Sequence, residues 1–176
     1  MVRETSRGAK GVDTVETIIS GGQTGADRGA LDAAIALGLP HGGACPAGRR
    51  AEDGRIPDRY AMTELASRDY AARTEQNVVD SCGTAIISWG PLTGGSALTR
   101  ELAVRHGRPW VHLPLRSRAI SEAARELRAF CAAHRIRTLN IAGPRESNAP
   151  GIHDAVVRVI SAAMQNDHAA PSPNDT

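Results

Sequence analysis

The sequence predicts one α/β domain built on a doubly wound, mainly parallel sheet with helices on both faces, and three observations predict it. Short β-branched runs alternate with longer Ala-rich segments of helical period, the pattern of successive βαβ units. The 176 residues are enough for one well-buried core and too few for two ordinary domains. Residues are 41% apolar but only 3% aromatic, so the core has to be assembled from Ala, Val, Ile and Leu, which suits helices packed closely on a parallel sheet. A Rossmann-like topology is therefore expected over residues 15 to 165. A flexible leader (residues 1 to 14) and a disordered tail (residues 166 to 176) flank it, because neither has a core-forming pattern.

Val15 to Ser20 reads as the first strand, followed by a glycine turn and a helix from Ala26 to Leu37 with Ala30, Ala33, Ala34 and Leu37 on one stripe. Gly38 stops that helix. Residues His41 to Tyr60 mix Gly, Pro and dense charge without either period and read as a long irregular loop, of a length that is usually functional or mobile. Tyr70 to Asp80 is a helix with a polar face that includes Arg73, Thr74 and Asn77, and it leads into the strand Thr84 to Trp89. A second glycine turn then opens a helix over about Ala97 to His106. Pro109 to Leu113 is the next strand, Ser117 to His134 an Arg-rich helix, and Thr138 to Ala142 another strand. A third turn, Gly143 to Ser147, precedes the last helix, Gly151 to Met164.

Composition excludes several functions. A formal charge of +2 is too small for a duplex-binding footprint, and one Phe, two Tyr and two Trp cannot make a base-stacking platform, so no nucleic-acid partner is expected. Lys10 is the only lysine and lies in the leader, which removes a pyridoxal phosphate Schiff base and a Walker A loop from the core. The three cysteines, Cys45, Cys82 and Cys131, form no Cys-x-x-Cys pair and imply a reducing compartment. No apolar run spans a membrane and no basic-then-apolar signal stands at the start; a cytoplasmic protein with no membrane partner is expected. His41 and Cys45 share a segment, but two potential ligands do not define a metal site, and none is predicted.

The functional signal lies in the three turns, each rich in Gly, Ser, Thr or Pro at a strand's carboxyl end and each feeding a helix amino terminus. In a doubly wound sheet those ends share one edge, where ligands bind. A helix start offers unpaired N–H groups and a positive dipole end, and glycine lets a phosphate approach them. The first turn, Ser20-Gly21-Gly22-Gln23-Thr24-Gly25, is the leading candidate for a phosphate-bearing small molecule, with Thr24 and Arg28 as donors. It is not the Gly-x-Gly-x-x-Gly fingerprint and no acid ends a second strand, so NAD is not expected. Asp27 either complements the helix dipole or holds a ligand hydroxyl. The second turn contributes Gly94, Gly95, Ser96 and Thr99; Glu101 beyond it is either a general base or a solvated helix acid. The charged residues Arg49, Arg50, Glu52, Asp53 and Arg55 either fold over the crevice or form a solvated loop.

Several segments, in order, are similar to the family known as the "putative molybdenum carrier" proteins. They are Ile19 to Arg28, His41 to Gly43 with Cys45-Pro46 and Gly48 to Gly54, Arg73-Thr74-Glu75 with Asn77-Val78, Gly94 to Ser96, and Ala142 to Ser147. The likeness runs from about Ile18 to Met164. It implies a member of the Rossmann-like SLOG superfamily, distantly related to the LONELY GUY-type phosphoribohydrolases. It further implies a homo-oligomer, dimer or tetramer, carrying molybdenum cofactor, a phosphate-bearing pterin, or a nucleotide-like ligand. The ligand would be held by the first two turns together with Asp27, Arg49, Arg73, Asn77 and Arg145. The alternatives are an ADP-ribose or nucleotide sensor, and an enzyme hydrolysing the N-glycosidic bond of a nucleotide. In that enzyme Glu101 would be catalytic, with Arg73 or Arg28 on the phosphate. Glu101 falls where the phosphoribohydrolase turn Pro-Gly-Gly-x-Gly-Thr-x-x-Glu has its glutamate, but that motif's Gly-Thr is Ala97-Leu98 here.

Overall fold

The computed structural model describes residues 15–165; the expected leader and tail lie outside the described residues. Among the described residues five α-helices cover a six-stranded, wholly parallel sheet, the α/β architecture expected from the alternating pattern. The strands are β1 (Thr17–Ile19), β2 (His41–Cys45), β5 (Met62–Glu64), β6 (Gly83–Ser88), β7 (Trp110–Pro114) and β8 (Thr138–Ala142). A two-stranded antiparallel ribbon, β3 (Arg50–Ala51) and β4 (Gly54–Arg55), stands apart from the sheet. The strand order is β5-β2-β1-β8-β6-β7, so the last strand in sequence sits in the middle.

Helices α1 (Ala26–Ala36), α4 (Ile120–Ala133) and α5 (Ile152–Met164) pack together; α2 (Tyr70–Asp80) and α3 (Gly94–Arg105) pack as a second pair. The larger core joins Ala30, Ala33 and Ala34 of α1 and Val156, Val159 and Ile160 of α5 to Ile18, Ala85, Ile87, Leu139 and Ile141 of the central strands. Alanines on α1 let it approach α5 and the sheet closely. Every residue of β6 is buried, as a strand covered on both faces requires. Among the described residues no helix is long and apolar enough to cross a membrane.

The segment expected to be irregular, His41 to Tyr60, instead opens with β2, paired in parallel to β1 through Ile18–His41 and Ile19–Gly42 and to β5 through Gly43–Met62. Its sequence, His-Gly-Gly-Ala-Cys, has almost no strand propensity. Tertiary packing supplies what propensity lacks. Gly43 has φ +127°, and a Cβ there would fall 2.1 Å from the Ser20 carbonyl oxygen, so only glycine lets the two strand ends approach. The Asn77 side chain then clamps Ala44, accepting its N–H at 2.7 Å and donating to its carbonyl at 3.1 Å. Cys45 is buried with Leu31, Ile56 and Tyr60, and burial pushes its thiol pKa up.

Other departures are local. α3 begins at Gly94 rather than Ala97, because the glycine pair itself forms the first turn. The third turn does not feed α5 directly; a short 3-10 helix, Glu146–Asn148, intervenes, and Gly151 in the left-handed region starts α5 at Ile152.

Replacing Asn77 by Ala leaves the buried Ala44 N–H and carbonyl unpaired. The Asn77→Ala protein is expected to be about 2–4 kcal/mol less stable in urea denaturation, with β2 the first strand to lose hydrogen-exchange protection.

Candidate functional site

The carboxyl ends of β1, β8 and β6 open on a cleft of about 530 Å³. Gly21, Gln23 and Asp27 form its wall after β1, Arg73 and Thr74 project from α2, and Thr93 to Ser96 with Thr99 present the start of α3. Asn140 to Arg145 form the floor after β8, and Ser88, Trp89 and Arg116 close the side after β6 and β7. Three arginines face one carboxylate, Asp27, so the lining carries a net charge of two positives, three minus one.

The three helix starts differ in what their N–H groups already do. At α1, Gln23 N–H donates to the Asp27 carboxylate at 3.2 Å, Thr24 N–H to the Gln23 Oε1 at 3.1 Å, and Ala26 N–H to the Pro144 carbonyl at 3.1 Å. At α5, the Glu146 carboxylate takes the N–H groups of Gly151 and His153, at 2.5 and 3.2 Å. At α3, Thr93 gives no side-chain cap, and among the described residues the Gly94 and Gly95 N–H groups have no protein partner. The positive end of α3 thus keeps open donors; in the first turn the Gly21, Gly22 and Gly25 N–H groups are also without a partner among the described residues.

The glycines tell the same story. A Cβ on Gly21 would overlap the Arg73 guanidinium, one on Gly22 would strike Ile56, and one on Gly25 would strike the backbone of Pro144 to Glu146. Those three are required by the protein's own packing. A Cβ on Gly94 or Gly95 meets nothing within 4 Å. There the fold leaves space that it does not use.

Several side chains of the first turn are engaged by the fold itself. Ser20 donates to the Ile141 carbonyl at 2.6 Å. Thr24 donates to Glu52 and accepts from Glu146 N–H, which turns it from the cleft. Arg28 lies on the other side of the turn, donating to the Gly22 carbonyl and paired with Asp53 at 2.5 Å. Thr24, Gly25 and Arg28 line a separate, shallower depression with Asp32, Tyr60 and His153. Asp27 is buried and paired with Arg73 at 2.8 Å. It serves the turn and Arg73 rather than acting as a simple dipole complement.

The charged loop neither covers the cleft nor floats in solvent. Arg49 is buried and donates to the carbonyls of Ile56, Pro57 and Tyr60, so it does not reach the cleft. Glu52 bridges the loop to two turns, accepting from Thr24 and from the N–H and hydroxyl of Ser147, with Arg145 at 3.7 Å. Burial works against its charge, but the hydrogen bonds from Ser147 and Thr24 outweigh it and hold its carboxyl below the usual range. Arg145 also stacks over Tyr70 at 5.9 Å. Asn77 lines the cleft, but its amide is spent on Ala44.

Glu101 is outside the cleft. Ser96, Thr99, Leu102 and Ala103 form the buried stripe of α3, and Glu101 lies roughly 200° round the helix from Thr99 and is exposed. A carboxylate there cannot reach a ligand seated at Gly94–Gly95. Among the described residues no group of three or more His, Cys, Asp or Glu could hold a metal ion.

Arg116, Ser88, Trp89 and Asn140 belong to the site and are not conspicuous in the sequence. Leu115 and Arg116 extend β7 by donating N–H groups to the carbonyls of Ser88 and Trp89, at 2.8 and 2.9 Å, which holds Arg116 at the mouth. Its position just after a strand's carboxyl end is the signal that would have found it. The Ser88 hydroxyl donates to the Gly90 carbonyl and so accepts from His112 Nε2 at 2.8 Å, fixing the turn before α3. Burial lowers the pKa of His112.

Residues 18–164 match the model of the circularly permutated YpsA SLOG family. The crystal structure of a protein from Syntrophus aciditrophicus, described as "Putative molybdenum carrier protein", superposes with a TM-score of 0.85 at 46% identity. The match covers 86% of this chain and 96% of that one. No curated protein matches.

Because the Glu52 pKa is depressed in the fold, its contribution is present above the unfolded glutamate value of about 4.3 and disappears as pH falls through the folded value. Urea titrations should find Glu52→Gln less stable than the parent at pH 7. The two should converge as the pH falls through and below the folded Glu52 value, where both side chains are neutral; a gap independent of pH would show that the carboxylate charge is not what holds the loop.

Proposed function

The chain belongs to the circularly permutated YpsA SLOG family, and on that premise we propose that its cleft binds a phosphate-bearing small molecule and carries it unchanged. The observation that carries this reading is the uncapped start of α3. Two glycine N–H groups without protein partners face a cleft whose lining is net positive. The phosphate sits on Gly94 and Gly95, with the Ser96 hydroxyl beside it and Arg116 supplying countercharge from the mouth. Arg145, leaning on Tyr70 and close to Glu52, adds a second guanidinium at the rim.

The cleft volume suits a nucleotide-sized or pterin-sized molecule better than a bare ion. The Syntrophus protein's description as a molybdenum carrier favours molybdenum cofactor, a phosphorylated pterin, as the cargo. An exposed Glu101 and an Asp27 already bound to Arg73 leave no free carboxylate at the cleft for glycosidic hydrolysis, which favours carriage over turnover. A nucleotide or ADP-ribose ligand would use the same phosphate seat.

The test uses the open space beside Gly95. The Cβ of Gly95→Val meets no protein atom within 4 Å, so stability should stay within about 1 kcal/mol of the parent. The same change fills the phosphate seat. Thermal-shift titration with GMP, AMP, ADP-ribose and a phosphorylated pterin should show stabilisation of the parent by at least one of them. That stabilisation should be lost in Gly95→Val, and base-release assays should stay silent. If no phosphorylated compound binds the parent, the reading is wrong; release of free base would end the carrier interpretation.

A further inference from the structure

Two buried hydrogen-bond donors beside the cleft, Gln23 Nε2 and Arg73 Nε, have no partner among the described residues. Both residues line the cleft, and Gln23 is only 5% exposed. Buried donors are ordinarily satisfied, so an unpaired pair at one cleft wall points to a partner supplied from outside the chain. The two belong together. Arg73 Nη1 and the Gln23 backbone N–H donate to the same Asp27 oxygen, at 2.8 and 3.2 Å.

The orientation of the Gln23 amide is fixed by its surroundings. Its oxygen accepts N–H groups from Thr24 at 3.1 Å and from Glu52 at 2.9 Å, and only an oxygen can do so. The amino end is the one left over for a ligand. The charge of this wall is already balanced, because Arg73 is paired with Asp27. A second anion gains little there, whereas a neutral acceptor meets donors that nothing else satisfies.

The wall after β1 and the phosphate seat after β6 are separated by β8. Two strand spacings place them about 10 Å apart. We propose that Gln23, supported by Arg73, is the specificity-determining residue of the cleft. It reads a neutral hydrogen-bond acceptor, a carbonyl oxygen or ring nitrogen of a heterocycle, at the end of the ligand remote from its phosphate. This rests on the phosphate seat at Gly94–Gly95. It excludes inorganic phosphate and simple sugar phosphates as preferred ligands and requires a heterocycle joined to a phosphate through a spacer.

Calorimetric titration of the full chain with ribose 5-phosphate, CMP and GMP tests it. At least one nucleotide should bind about tenfold or more tightly than ribose 5-phosphate, because only the nucleotides carry the second acceptor. Gln23→Met should bring that ratio close to one with ribose 5-phosphate affinity unchanged. Gln23→Glu keeps an oxygen for the Thr24 and Glu52 N–H groups and so protects the fold if the Met variant unfolds. Its added charge acts on both phosphates, so the ratio should still collapse. A ratio that persists in either folded variant, or a parent protein that does not discriminate, overturns the role of Gln23 while leaving the phosphate seat standing. If none of the three compounds binds the parent, or if Arg116→Gln weakens none of them, the phosphate seat fails and this inference fails with it.

Discussion

The parallel hydrogen bonding of β1, β8 and β6 is the constraint on which the rest of the molecule depends. Parallel strands put all their carboxyl ends on one edge, and their crossover helices must then start at that edge. The chain's last strand enters between β1 and β6. Its turn, Gly143 to Arg145, thereby becomes the floor of the cleft, and the Pro144 carbonyl becomes the acceptor that ties down the start of α1. A Cβ at Gly143 would fall 2.3 Å from the Ile87 carbonyl oxygen, which shows how closely this floor is pressed against β6.

From that convergence follows a division of labour among three similar turns. Two are tied down from within: the first in part by Gln23, Asp27 and the Pro144 carbonyl, the third by the Glu146 carboxylate. Glu52 then joins them through Thr24 and Ser147, so the charged loop acts as a strap across structural turns and not as a lid over the ligand. The second turn keeps the Gly94 and Gly95 donors, in a cleft whose arginines come from α2, the end of β7 and the end of β8. An uncapped helix start of this kind favours an anion.

Much of this is written in the chain. Period and composition specify the α/β class, and α2 runs over the residues that its polar face and flanking signals mark. Gly94, Gly95, Ser96 and Thr99 can be picked as site residues from turn chemistry, Arg73 from the polar face of α2 and Arg145 from the family resemblance, and all line the cleft. β2 cannot be picked, because its glycines contradict strand propensity and are explained only by Ser20 and Asn77 lying against them. Nor can Arg116, whose place at the mouth depends on two backbone bonds to the end of β6.

What the sequence by itself determined is the kind of molecule: a parallel sheet whose glycine-bearing turns gather at one edge, because periodicity and turn residues are local properties. Which backbone donors stay open was decided partly by tertiary structure. Local side chains take up some of them, Asp27 for Gln23 and Glu146 for Gly151, but Ala26 and Ser147 find their partners, the Pro144 carbonyl and the Glu52 carboxylate, far away in sequence. The same holds for Gln23. Its identity is plain in the chain, but its unpaired amino group exists only because Thr24 and Glu52 hold the other end.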